Sequence, residues 1–116
     1  MLNQIVLVGR LTRDVKINKT DSGKKIANLG LAIPRSFKNM DGIYDTDFVD
    51  CILWDNVAIN TSEYCHKGDI VGIKGRVQSR AVEEAGVKKN ILEVVAEKVT
   101  FLTSKNNSTE SEIPQN

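Results

Sequence analysis

The sequence predicts an all-β barrel carrying a single helix, on three observations. Several separated stretches alternate apolar and polar side chains with a period of two, turn signals containing glycine lie between them, and one segment alone has helical spacing. Residues 2–11 form an apolar run with Gly9 near its end, the pattern of a buried strand that bends or bulges at the glycine. Asp21-Ser22-Gly23 supplies a turn. A second strand follows, in which Ala27, Leu29, Leu31 and Ile33 alternate with Asn28, Gly30 and Ala32, and it is expected to end at Pro34. A polar loop with Asp41-Gly42 at its tip leads into a third strand, 46–54.

Phase matters most in that third strand. Val49, Cys51 and Leu53 share one face and belong to a core, whereas Phe48, Asp50, Ile52 and Trp54 share the other. A carboxylate between two large aromatics suits neither a buried face nor a merely solvated one. It suits an aromatic platform, with a second core or a subunit contact as the structural alternative.

Between 56 and 67 the spacing changes, with Val57, Thr61, Tyr64 and Cys65 at helical intervals, Asp55 or Asn56 as N-cap and Gly68 as a stop. A fourth strand, 70–80, places Val71, Ile73 and Val77 on one side and Lys74, Arg76, Gln78 and Arg80 on the other. The result is either a basic stripe for a ligand or an ordinary solvated face. After a turn at 83–86, a fifth strand at 89–102 is apolar in both phases near its middle, as expected of a strand buried or paired on both sides. Residues 1–104 are read as one domain and 105–116 as a flexible acidic tail with too little apolar content to join a core.

Composition excludes several classes of function. With 41% hydrophobic and 27% charged residues the chain is globular, and no run approaches the ~20 apolar residues that a membrane span needs. The N-terminus lacks the pattern of a signal peptide, so a cytoplasmic location is expected, and Cys51 and Cys65 are expected to be buried thiols. Net charge is only +1, and setting aside Glu110 and Glu112 of the tail raises it to +3, so nucleic-acid binding must be argued from where residues point. His66 is the sole histidine and stands where it could complement a helix dipole. No zinc-ligand spacing or phosphate-binding glycine loop occurs, and Asp45, Asp47 and Asp50 read as a solvated edge. The chain is therefore read as no enzyme, with no catalytic residue, metal or cofactor.

Five strands with a helix between the third and fourth is the element order of the OB-fold, a Greek-key barrel whose second and third strands receive oligonucleotides. Single-stranded nucleic acid needs flat side chains for its bases and cations for its phosphates. Phe37, Phe48 and Trp54 offer the first, and Arg35, Lys38, Arg76 and Arg80 the second. Two other classes stay open: an OB module for structured RNA, and a structural OB protein with Phe48 and Trp54 in a protein contact.

The strings LNQIVLVGRLTRD, LAIPRSFKN, TDFVDCILW, YCHKGDIVGIKGRVQSR and EVVAEKVTFL, in this order over about residues 1–102, resemble the bacterial single-stranded DNA-binding protein family. The resemblance implies base stacking on Phe37, Phe48 and Trp54, polar or phosphate contacts at Arg35, Lys38, Arg76 and Arg80, and a homotetramer around which the strand wraps. It also implies a role in replication, recombination or repair. Lys19 and Val82 stand where many relatives have aromatics, and Asp55-Asn56 replace a basic pair, which lowers the expected affinity. Glu110, Glu112, Ile113 and Pro114 are followed by Gln115 and Asn116, where relatives with a partner-binding tail end in Ile-Pro-Phe. A short form with weak or absent tail-mediated recruitment of other proteins is expected.

Overall fold

The structure, a computed structural model, describes residues 1–104. The expected acidic tail lies outside them. The elements in chain order are β1 (Ile5–Leu11), β2 (Ile17–Lys19), β3 (Lys25–Lys38), β4 (Tyr44–Trp54), α1 (Asp55–Tyr64), β5 (Ile70–Glu84) and β6 (Val87–Thr103). Hydrogen-bonded order is β1-β5-β6-β4-β3-β2, and β1 also pairs with β3 through Arg10 and Leu11. That extra pairing closes β1, β3, β4, β5 and β6 into the five-stranded barrel expected from the sequence, with the helix between its third and fourth strands.

The barrel core follows the alternation. Leu11, Leu29, Leu31, Cys51, Leu53, Val71 and Ile73 are fully buried and come from β1, β3, β4 and β5. Ala58 of α1, together with Cys65 just beyond it, joins the same cluster. Both cysteines are free and buried, and desolvation, then the nearby Asp50 charge, pushes the Cys51 thiol up to about 11.

Closure depends on Gly9. A Cβ there would lie 2.8 Å from the carbonyl oxygen of Ala32, so the glycine lets β1 approach β3. It marks close approach rather than the expected bulge, since pairing with β5 runs in unbroken register from Ile5 to Arg10.

Other boundaries differ from the sequence reading for physical reasons. β3 continues through Pro34 to Lys38, because β1 pairs with β3 only at Leu31 and Ala32, and the missing N–H then falls on a strand edge. A register irregularity between Pro34 and Lys38 follows. β5 runs on to Glu84, and a two-residue turn at Ala85 and Gly86, both at positive φ, replaces the broader expected turn. Both hairpins are thereby longer than expected.

The helix is capped differently too. Trp54 is the N-cap, with no side-chain cap hydrogen bond, and Cys65 ends the helix with its N–H bonded to the Thr61 carbonyl. Asp55 begins the helix at φ 47°, and its Oδ1 instead accepts the Lys25 N–H at 3.3 Å. Of the residues that the spacing had placed at helical intervals, Thr61 and Cys65 are buried and Tyr64 is exposed, while Ala58, which the spacing did not include, is buried too. Gly68 belongs to the following turn, where Asp69 N–H reaches the His66 carbonyl. His66 lies beyond the helix, its Nδ1 4.0 Å from Asp69 Oδ2.

Candidate nucleic-acid interface

Cross-strand register decides which side chains share a surface, because directly paired residues project to the same side of a sheet. Along β3 and β4 the outward pairs are Ile26 with Trp54, Asn28 with Ile52, Gly30 with Asp50, and Ala32 with Phe48. From Asn28 to Ala32 the outward residues of β3 are short and face Ile52, Asp50 and Phe48 on β4. Six residues of strand separate Phe48 from Trp54, roughly 20 Å at the usual rise.

The row continues across the sheet. Ile52 pairs with Val95 of β6, and Val95 pairs with Arg76 of β5. At about 4.8 Å per strand, Arg76 stands roughly 10 Å from Ile52 on the same outward surface. Val95 is buried beneath its neighbours, as the two-phase apolar pattern of the last strand required. The aromatic strip and the arginine stripe are therefore one continuous face.

Its arginines are already paired. Arg35 donates to Asp47 from Nε at 3.2 Å and from a terminal nitrogen at 2.9 Å, with Asp45 at 3.8 Å. Hydrogen bonding to Asp47, and then its charge, raises the Arg35 pKa, while the same hydrogen bond holds the Asp47 carboxyl below its ordinary range. Arg76 lies 3.4 Å from Glu97 and donates to Gln78 at 3.0 Å. Gln78 donates to Glu93 at 3.0 Å, and Arg80 donates to the other Glu93 oxygen at 2.8 Å. Gln78 first, and Arg80 second, lower the Glu93 pKa. Arg76, Gln78 and Arg80 of the stripe thus form a hydrogen-bonded ladder in which both guanidinium charges are paired, in keeping with the small net charge of the chain.

Phe48 and Phe37 are 75% and 63% exposed, and Trp54 is half-buried. Phe37 and Lys38 stand at the far end of β3 instead of on a loop, and the Lys38 ammonium lies 5.7 Å from the centre of the Tyr44 ring. Phe48, Trp54, Arg76 and Arg80 are brought onto the barrel face, while Arg35, Phe37 and Lys38 line the β3–β4 hairpin that extends it.

Sequence reasoning missed Arg13. It lies in the connection after β1 and donates to Asp50 at 3.1 Å, in the middle of the aromatic strip. Gly30 makes this possible, since a Cβ at that position would lie 2.4 Å from an Arg13 guanidinium nitrogen. The available signal was the outward phase of β3: Asn28, Gly30 and Ala32 are all short, leaving room above them for a side chain from elsewhere. Beside Arg13, a depression of about 400 Å³ is lined by Asp14, Lys16, Asn18 and Asn28.

Among the described residues no helix is long and apolar enough to cross a membrane. The carboxylates Asp45 and Asp47 face Arg35, and Asp50 faces Arg13.

Residues 2–102 match the model of the single-strand binding protein family. The chain is 46% identical over 106 residues to single-stranded DNA-binding protein B of Bacillus subtilis (strain 168), covering 90% of this chain and 94% of the relative. It is 41% identical over 117 residues to single-stranded DNA-binding protein 2 of Listeria monocytogenes, covering 100% of this chain and 73% of that protein. Single-stranded DNA-binding protein 3 of Streptococcus agalactiae serotype V is 42% identical over 107 residues, 91% and 78% of the two chains.

Proposed function

The chain belongs to the single-strand binding protein family, and from that premise we propose that its outward β3–β4–β6–β5 face binds single-stranded DNA without marked sequence preference. Bases stack on Phe48, Trp54 and, along the hairpin, Phe37; Arg35, Lys38, Arg76 and Arg80 meet phosphates. Stacking uses the π-face that every base has, which is why sequence matters little. The protein would thereby protect and organise single strands during replication, recombination or repair, as a binding protein and not a catalyst. The observation that carries this reading is the row Ile52–Val95–Arg76, which joins the aromatic strip to the arginine stripe.

Self-association belongs to the same reading. The edge of β1 away from β5 has no strand partner over Ile5–Val8 among the described residues, and Val6 and Val8 beside it are 67% and 52% exposed. An open edge with apolar neighbours is completed by a second copy, consistent with a homotetramer of barrels.

Trp54 is the only tryptophan, so its fluorescence tests the site directly. Adding oligo-dT should quench its emission, and dT, dC and mixed oligomers of equal length should bind within about tenfold of one another and well above duplex. An emission indifferent to oligonucleotide, or a marked preference for one sequence or for structured RNA, would overturn the assignment.

A further inference from the structure

Arg13 differs from the other arginines of the face in its partner, since Asp50 is 74% exposed whereas Asp47, Glu97 and Glu93 are 49%, 54% and 11% exposed. Arg35 makes a fork with Asp47, and Arg76 and Arg80 are tied into a ladder with Gln78 and Glu93. Arg13 gives Asp50 a single hydrogen bond at 3.1 Å, and among the described residues its only other side-chain partner is Thr12, at 3.5 Å. A guanidinium carries five donors, so most of its hydrogen-bonding capacity is unspent. Both side chains are open to solvent, at 51% for Arg13 and 74% for Asp50. The pair sits over Gly30, between Phe48 and Trp54 on the stacking strip, and beside the 400 Å³ depression lined by Lys16, Asn18 and Asn28.

A carboxylate and a phosphate present the same paired oxygens to a guanidinium. We propose that Arg13 is a further phosphate contact of the stacking strip and that Asp50 is its internal competitor, occupying the guanidinium until a DNA phosphate replaces it. The inference rests on the single-stranded DNA reading of this face. Binding then exchanges one anion for another, and the released Asp50 carboxylate regains its own counterions. Affinity at this point of the path is lowered, and so is its dependence on salt, relative to an unpaired arginine. Asp50 also keeps Arg13 extended across the strip when no DNA is present. The carboxylate that looked out of place between two aromatics thus has a definite task.

The test is a double-mutant cycle on the full chain, with anisotropy of fluorescein-labelled oligo-dT titrated at several salt concentrations, and Trp54 quenching and thermal melting measured alongside. Arg13→Ala should weaken binding about tenfold and reduce the salt slope by clearly less than the value of about one expected of an unpaired arginine. Asp50→Asn should tighten binding about fivefold and steepen the slope, and that gain should vanish when Arg13 is already alanine. Melting should change little in all three variants, because both side chains are exposed. Unchanged affinity in Arg13→Ala, with normal wild-type binding, would overturn this contact while leaving the DNA site standing. A gain from Asp50→Asn that persists without Arg13 would show plain repulsion of phosphate and overturn the competitor role. Failure of the wild type to bind or quench would remove the DNA site and this contact together.

Discussion

Two depressions lie toward opposite ends of β3, and what surrounds them differs. The larger, about 400 Å³, is polar, lined by Arg13, Asp14, Lys16, Asn18 and Asn28, and opens beside the strip that carries Phe48 and Trp54. The smaller, about 280 Å³, is lined by Val8, Gly9, Arg10, Ala32, Pro34, Thr46 and Ile70, and opens between the unpaired edge of β1 and the end of the strip where Ala32 pairs with Phe48. Exposed apolar side chains occur at both, so exposure alone does not identify a ligand. Beside β1 the apolar groups accompany unsatisfied backbone donors and acceptors, which another strand supplies. Beside β4 the backbone is paired with β3 along most of the strand and with β6 at Cys51 and Ile52, and the apolar groups alternate with ion pairs, which suits a ligand that is flat and anionic at once.

The contrast breaks most severely at Val8. Val8→Asp should divide the oligomer by about 3–6 kcal/mol of association free energy, because each copy loses roughly 1.5–3 kcal/mol of apolar burial and a twofold contact counts the loss twice. Sedimentation measures it, and a variant that sediments as the wild type would remove β1 from the interface. Next in size is the opposite face of β4. Leu53 is fully buried, so Leu53→Ala should cost about 2–5 kcal/mol of folding stability in denaturant titration, with DNA affinity of the folded fraction preserved. Preserved stability would mean that the two faces of β4 have been assigned the wrong way round.

Much of this was legible because it is local. Alternation in β4 separated Leu53 from Trp54 correctly, and turn chemistry placed Gly23 and Gly42, both at positive φ. What the chain order could not reveal was partnership at a distance. Arg13 and Asp50 are 37 residues apart, Arg80 and Glu93 are 13 apart, and each pair exists only through register and hairpin length. Pro34 misled for a related reason: proline ends a strand only where its missing N–H would have had a partner, and that depends on where β1 stops. β2 escaped notice because three residues show too little alternation to declare a strand.

A smaller effect separates the two regions by function. Trp54→Ala and Phe48→Ala should each lose about 1–3 kcal/mol of oligo-dT binding while leaving the sedimentation of the protein unchanged. Val8→Asp should do the reverse, retaining stacking on each separate barrel at the cost of avidity. If Trp54→Ala splits the oligomer while single barrels still bind DNA, the strip beside β4 is a protein contact, and Phe37 with the hairpin cations must carry recognition.

The smallest effect concerns acid, and its sign follows from the ion pairs. Asp47 and Glu93 are held below their ordinary values of 3.8 and 4.5 by hydrogen bonds from Arg35, and from Gln78 and Arg80. A carboxyl whose folded pKa is depressed contributes stability that is complete above its unfolded value and is lost as pH falls through the folded one. Between pH 7 and 5 the contribution of these groups to the melting temperature should therefore be constant, and it should be lost as pH falls below the ordinary carboxylate range. The variant Asp47→Asn/Glu93→Gln should melt slightly below the wild type at pH 7, and the gap should close once the wild-type carboxyls are protonated. At pH 7 the same variant frees Arg35 and Arg80, so its oligo-dT binding should tighten and its salt slope steepen even as its stability falls. Sedimentation of the oligomer, whose proposed contact rests on Val6, Val8 and backbone, should not respond to the substitution. Tightened binding without any change in oligomeric state would place all the titratable chemistry on the β4 side of β3. An oligomer that weakens along with the ion pairs would show that the two regions are not independent.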